Sequence, residues 1–269
     1  MIKLVLILVV CSALLSGPLC LALGAEEPSE RPAVDQPLRV VDVPTAGLLA
    51  RGDYGVDLDV YSEGGVLFEI AVGIARFANF GISYGGIEFI GSGTPEMNPR
   101  PEVQAKVRLI EEDQELPAVA IGFDSQGYGQ FVDDRAVCDE KRYLVKSRGF
   151  YVVASKNWEV VGPLSLHGGI SYSLENKFDK NPTIFLGLIK SFSNIVDIAA
   201  ELDPAWNDDK GCASIVEHRP YIDVAVAWHV NETLSLAFEV RDIVSKEKET
   251  GPDLRKWNRG LRVSYRSTL

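Results

Sequence analysis

Tyr54-Gly55-Val56-Asp57-Leu58-Asp59-Val60-Tyr61, a turn at Glu63-Gly64-Gly65, then Val66-Leu67-Phe68-Glu69-Ile70-Ala71-Val72-Gly73-Ile74: this stretch decides the fold. Tyr54, Val56, Leu58 and Val60 alternate with Gly55, Asp57 and Asp59. Val66, Phe68, Ile70, Val72 and Ile74 alternate with Leu67, Glu69, Ala71 and Gly73. A period of two places one set of side chains on each face of a strand, whereas a helix would repeat near every third or fourth residue. The same alternation returns at Phe80–Tyr84, Val103–Leu109, Val119–Phe123, Leu164–Tyr172, Val196–Leu202, Ile222–Trp228, Leu234–Val240 and Leu261–Tyr265. Ser147–Lys156 and Thr183–Phe192 add two strands whose faces are harder to separate. The expected total is twelve, and helical periodicity is nearly absent.

The connections carry a second signal. Tight ones fall at 75–78, 111–117, 157–163, 193–194 and 231–233, and long ones at 86–100, 126–142, 174–181, 204–219 and 244–256. Strict alternation of the two kinds, broken only by the turn at Gly64, gathers the long loops at one end. An all-β, twelve-stranded antiparallel transmembrane β-barrel fits this pattern, with both termini at the short-turn, periplasmic end. Alternation alone also suits a secreted sandwich or lipocalin-like barrel, which would bury its apolar face instead. Three features favour the membrane: a leader sequence, strands long enough to cross a bilayer when tilted, and aromatics near strand ends. Tyr84, Phe123 and Tyr172 stand toward the long loops, and Phe80, Trp228 and Tyr265 toward the short turns. Leu261, Val263, Tyr265 and the terminal Leu269 share one parity, as in the closing strand of an outer-membrane barrel.

The 269 residues carry a formal charge of −11, which argues against a nucleic-acid partner. Three histidines and four cysteines leave little material for a metal, and no cofactor is expected. Residues 1–25 read as a secretory signal peptide: Lys3, an apolar run from Leu4 to Leu15, then Ala22, Gly24 and Ala25. Gly17-Pro18-Leu19 makes a poor approach to Cys20 as a lipidation site. Residues 26–50, with Glu26, Glu27, Glu30 and Asp35 among Pro28, Pro32, Pro37 and Pro44, read as a periplasmic linker that buries little. Residues 51–269 form the barrel. Its expected partners are outer-membrane lipid and the barrel-assembly machinery. Cys138 and Cys212 could pair in an oxidising compartment.

If the apolar parity faces lipid, the lumen holds Asp57, Asp59, Glu69, Glu102, Asp124, Asp197, Glu201, Asp223 and Glu239 with Lys106, Arg108, Arg241, Arg262 and Arg266. Closing the barrel sets the last strand beside the first, so Arg262 and Arg266 should face Asp57 and Asp59. A charge network is expected there, since unpaired buried charges are costly. No catalytic set emerges. His167 has Ser165 and Ser171 on its own face but no orienting third group. G-x-S-x-G and H-E-x-x-H are both missing, Gly91-Ser92-Gly93 lacks a phosphate-binding context, and Asn231-Glu232-Thr233 reads as turn chemistry.

Several short motifs share a likeness: Pro44-Thr45-Ala46-Gly47, Gly81-Ile82-Ser83-Tyr84-Gly85-Gly86, Asn98-Pro99-Arg100-Pro101-Glu102, Gly122-Phe123-Asp124-Ser125-Gln126-Gly127 and Ala154-Ser155-Lys156. The stretch from Pro44 to Lys156 resembles the YjbH-like outer-membrane barrels, whose better-known members are longer. The resemblance implies a bacterial outer-membrane location and a link to exopolysaccharide biosynthesis or export, and it carries over no catalytic residue. Were a polysaccharide bound, Asn98, Asp124, Gln126 and Tyr128 would offer amide, carboxylate and aromatic groups at neighbouring long-loop ends. The expected function is a non-enzymatic envelope protein, supporting transport or assembly of a polymer or passage of a small solute. A structural or adhesive barrel with a plugged lumen and a membrane-embedded hydrolase stand as alternatives.

Overall fold

The computed structural model describes residues 37–133, 140–175, 177, 179–193, 195–208, 220–244 and 258–269. The signal peptide, the acidic part of the linker, Cys138 and Cys212 lie outside the described residues. Twelve long strands close into an antiparallel barrel. In chain order they are β1 (Asp53–Tyr61), β2 (Gly65–Ala75), β3 (Ala78–Ile87), β5 (Glu102–Ile110), β6 (Ala118–Asp124), β9 (Gly149–Glu159), β10 (Pro163–Tyr172), β11 (Thr183–Phe192), β12 (Val196–Asp203), β13 (Tyr221–His229), β14 (Leu234–Arg241) and β15 (Asn258–Thr268). Three short strands stand in the long connections: β4 (Glu96–Met97), and a hairpin of β7 (Tyr128–Val132) with β8 (Arg142–Val145). Those three are too short to leave a readable alternation.

Pairing runs around the ring without a free edge. β1 pairs with β2 on one side and with β15 on the other, in a register that sets Asp59 opposite Arg262 and Leu58 opposite Val263. The β2–β3 and β3–β5 ladders complete the circuit on that side. Closure leaves no exposed ladder of amides, which is why a barrel can stand in a lipid solvent where an open sheet cannot.

The faces are inverted relative to a soluble barrel. Asp57, Asp59, Glu69, Glu102, Lys106, Glu201, Asp223, Glu239, Arg241 and Arg262 are buried. Phe68, Ile70, Phe80, Ile82, Val152, Leu166, Ile170, Leu186, Ile198, Val226 and Phe238 point outward and are exposed, Phe68 by 47 % and Phe238 by 61 %. Tyr84 and Tyr172 stand at the long-loop end of this apolar surface, and Phe80, Trp228 and Tyr265 toward the other. Such an exterior is stable only against an apolar medium. The lipocalin-like alternative therefore fails: its apolar parity would have to face in.

One expectation is overturned. The end of the presumed linker buries a great deal. Val41, Val43, Thr45 and Ala46 are fully buried, and Val40 and Leu49 nearly so. They sit inside the lumen against Ala118, Ala120, Tyr151, Val153, Phe185, Ile189, Ala199 and Ala225, inward residues of β6, β9, β11, β12 and β13. The acidic, proline-rich composition describes residues 26–37. Beyond them, Leu38-Arg39-Val40-Val41-Asp42-Val43 is an apolar run with two opposite charges, and a barrel interior can solvate both kinds of side chain.

Candidate functional site

Residues 37–50 form a small hairpin lodged in the lumen, here called the plug. Its turn is closed by Val40 N–H donating to Val43 O at 2.9 Å, and its arms are joined by Thr45 N–H donating to Leu38 O and by a bridge between Arg39 and Pro44. Thr45 Oγ1 donates to Pro37 O and accepts from Gly47 N–H, so Pro44-Thr45-Ala46-Gly47 is the side of the hairpin that leads back out. The exit is at the short-turn end: Gly52 N–H bonds Gly73 O, and Leu269 N–H bonds Gly52 O. Both described arms, residues 37–39 and 44–50, run back toward that end from the turn.

The wall is shaped for this guest. Glu201, on β12, accepts the N–H groups of Val41, Asp42 and Val43 at 2.9–3.0 Å. Three convergent amides on one carboxylate satisfy donors that the tight turn leaves over. Arg241 grips Asp42 with two parallel bonds of 2.9 Å, and Arg262 donates to Val41 O at 3.1 Å. Lys106 Nζ reaches Leu38 O and Gly47 O, and Arg108 Nε reaches Ala46 O. Arg39 of the plug lies among Glu69 at 2.9 Å, Asp59 at 3.4 Å and Asp57 at 3.6 Å. Two inward glycines make room. A Cβ on Gly187 would lie 2.6 Å from Val40 Cγ2, and one on Gly73 would lie 1.9 Å from Ala50 O.

The seam charges meet as the closure of the barrel requires. Arg266 holds Asp57 through two bonds of 2.9 Å, and Arg262 Nε reaches Asp59 at 2.5 Å. Glu239 lies 2.6 Å from Arg241 and 3.0 Å from Arg262. Of the fourteen charged lumen residues anticipated, Asp57, Asp59, Glu69, Lys106, Arg108, Glu201, Arg241 and Arg262 touch the plug directly. Arg266 and Glu239 brace them, and Glu102 lies elsewhere, between Arg100 and the Tyr143 hydroxyl.

The long-loop end is covered by the connection between β6 and β9, whose β7–β8 hairpin folds inward as a lid. Tyr143 and Arg142 are fully buried in it. Arg142 makes an ion pair with Asp208 of the β12–β13 loop, and the Tyr221 hydroxyl donates to the same carboxylate at 2.8 Å. Burial would raise the Asp208 carboxyl, but the Arg142 and Lys146 cations and these bonds hold it below its ordinary value. Lys146 Nζ donates to Asn207 O, and Ser147 N–H to Glu175 of the β10–β11 loop, at 2.9 and 2.8 Å. Glu175 is pushed up to about 7, chiefly by burial, against the pull of the Ser147 and Tyr143 amides and Arg142.

The four candidate glycan residues do not gather into an open face. Gln126 is taken up by Ser83 Oγ and Gly127 O, and its N–H by Asp124. Asn98 is buried, its N–H on Gly85 O, beyond the short strand β4. Tyr128 lies in the lid, its ring 5.0 Å from that of Tyr61 and 4.1 Å from the Arg241 guanidinium carbon.

Sequence reasoning passed over Arg39, Asp42, Ser155 and, as a plug ligand, Glu201. Their signal is the apolar Leu38–Val43 run beside Pro44-Thr45-Ala46-Gly47. Ser155 Oγ accepts Ala46 N–H at 2.8 Å and stands 2.8 Å from His167 Nδ1. This Ser–His contact is not the Ser165 or Ser171 pairing considered above. With Ser155 capped by the plug and His167 Nε2 without a hydrogen-bond partner, it has no orienting acid and serves to seat Ala46. Asp42, Glu201 and Asp223 offer carboxylate oxygens within 4.8 Å of one another. Glu201 is occupied by the three amides and Asp42 by Arg241, so the cluster belongs to the plug seat.

No protein family's sequence profile matches the chain. No curated protein matches it in sequence. Solved structures similar in shape include the KdgM porin, at 10 % identity and a TM-score of 0.44, covering 80 % of this chain and 99 % of that one. The NanC porin gives 9 % identity, a TM-score of 0.44, and coverage of 80 % and 99 %. The outer membrane protein Omp33 of Acinetobacter baumannii gives 6 % identity, a TM-score of 0.44, and coverage of 81 % and 97 %. At this distance the likenesses carry no argument, and the barrel stands on its own strand pairings.

Proposed function

We propose that the protein is a non-enzymatic bacterial outer-membrane barrel, closed at rest by its own N-proximal plug. Passage or assembly of an envelope polymer or small solute then depends on withdrawal of that plug. The observation that carries the reading is the plug itself: a hairpin with few backbone bonds of its own, held in the lumen by polar bonds and ion pairs from the wall. Water can take over such bonds when the hairpin leaves. The apolar exterior supports outer-membrane lipid as the surrounding medium and the barrel-assembly machinery as the insertion route. The resemblance to YjbH-like barrels supports an exopolysaccharide as the polymer.

Planar-bilayer recording tests this. The refolded wild-type chain is expected to insert and stay shut. Glu201→Ala leaves three buried amides without their acceptor, a loss of about 1–3 kcal/mol for each unsatisfied group. That variant is expected to give stepwise openings. A barrel whose plug amides exchange freely with deuterium and which still never conducts would return the protein to a purely structural role.

A further inference from the structure

We propose that Arg241 couples the outer lid to the inner plug, so that displacement at one end of the lumen loosens the contents at the other. The proposal rests on the closed-plug reading. Arg241 closes the long-loop end of β14, and all three nitrogens of its guanidinium are in use. Nε and Nη2 donate to the two oxygens of Asp42 in the plug, each at 2.9 Å. Nη1 lies 2.6 Å from Glu239 of its own strand and donates to the Tyr128 hydroxyl at 3.5 Å. Its central carbon lies over the ring of Tyr128, the first residue of the lid hairpin, 4.1 Å from the ring centre.

A guanidinium is planar and cannot turn one edge without turning its face. The Tyr128 ring therefore helps to fix the plane in which the fork meets Asp42, and Asp42 helps to fix the plane on which Tyr128 rests. A lysine would keep the charge and lose this linkage. Most other anchors of lid and plug are separate, though Arg148, at the end of the same β6–β9 connection, stands close enough to Glu201 and Asp42 to feel both charges. The lid is held by Asp208, Asn207 and Glu175 in neighbouring loops. The plug is held by Glu201, Ser155, Lys106 and Arg108 on the wall. Each can thus have its own docked and undocked states, with Arg241 biasing both. A partner that lifts the lid from outside would loosen the plug toward the periplasm, with no contact between them.

Amide exchange read by mass spectrometry on the full chain in detergent tests this, with a heat-modifiable gel band confirming that each variant is folded. Tyr128→Leu is expected to speed exchange of the Val41, Asp42 and Val43 amides about tenfold, and Asp42→Asn to speed the β7–β8 amides by a similar factor, because coupling between two sites is reciprocal. Tyr128→Phe keeps the ring and loses only the long hydroxyl bond, so it should speed the plug amides less than Tyr128→Leu. In an Arg241→Lys background neither effect should cross. A lid that loosens in Tyr128→Leu while the plug amides keep their wild-type rates overturns the coupling alone. Plug amides unmoved by Asp42→Asn would overturn the closed-plug reading, and the coupling with it.

Discussion

At the scale of single residues, Gly187 shows how a strand position is shaped by what lies across the lumen. On β11 it pairs with Glu201 on one side and His167 on the other, and all three point inward around the plug. Its missing Cβ would press on Val40 and Val43 at 2.6 and 3.1 Å. Valine suits a strand better than glycine, so Gly187→Val should leave the barrel ladder intact and evict the plug tip. The expected result is a heat-modifiable barrel with raised conductance and unprotected Val41–Val43 amides. A variant that stays shut and protected would show that the tip can shift aside.

At the scale of elements, the lid and the plug follow different chemistry. The plug answers wall side chains with its main chain and with the ion pairs of Arg39 and Asp42. The lid instead rests partly on Glu175. The docked lid raises that carboxyl from the ordinary range to about 7, with burial the leading cause. Docking therefore favours the protonated acid. This contribution is fully present below the ordinary carboxylate range and is lost as pH rises through about 7. Trypsin cleavage at the exposed Lys141 should speed up between about pH 5 and 8 beyond the enzyme's own dependence, and Glu175→Gln should flatten that excess. A rate that falls with pH, or one unaltered by the glutamine, would remove Glu175 from the lid's account.

At the scale of the whole molecule, lipid outside and charge inside set two further expectations. Ile70 stands between Val56 and Ile82 on the outer face, midway along β2 and well within the apolar surface. Arginine there should cost about 2–4 kcal/mol if that surface lies at the bilayer midplane. The midpoint for refolding into vesicles should fall accordingly, and an unchanged midpoint would mean that the belt is not in lipid. On the inside, withdrawal of the plug removes one cation, Arg39, and one anion, Asp42. The wall keeps Asp57, Asp59, Glu69, Glu102, Asp124, Asp197, Glu201, Asp223 and Glu239 against Lys106, Arg108, Arg241, Arg262 and Arg266. An opened Gly187→Val or Glu201→Ala barrel should therefore prefer cations, read as a reversal potential toward the cation's in a salt gradient. Anion preference would show that the lid and its arginines, and not the wall, set the field.

The amino-acid sequence by itself determined the twelve strands, their order, the end that carries the long loops, and the parity that turns Asp57 and Asp59 away from Leu58. Strand period and turn spacing are local properties, and a closed antiparallel ring turns local order directly into neighbours. The contact of Arg262 with Asp59 was legible for the same reason, since closure fixes which strands meet at the seam. Only the tertiary structure decided that Leu38–Gly47 fills the lumen, that Glu201 gathers three of its amides, and that Tyr128 turns inward onto Arg241. These contacts join residues as much as 221 positions apart across an interior that exists only once the ring has closed. The plug has no period to betray it: its own backbone bonds are few, and the groups that complete them belong to strands folded around it.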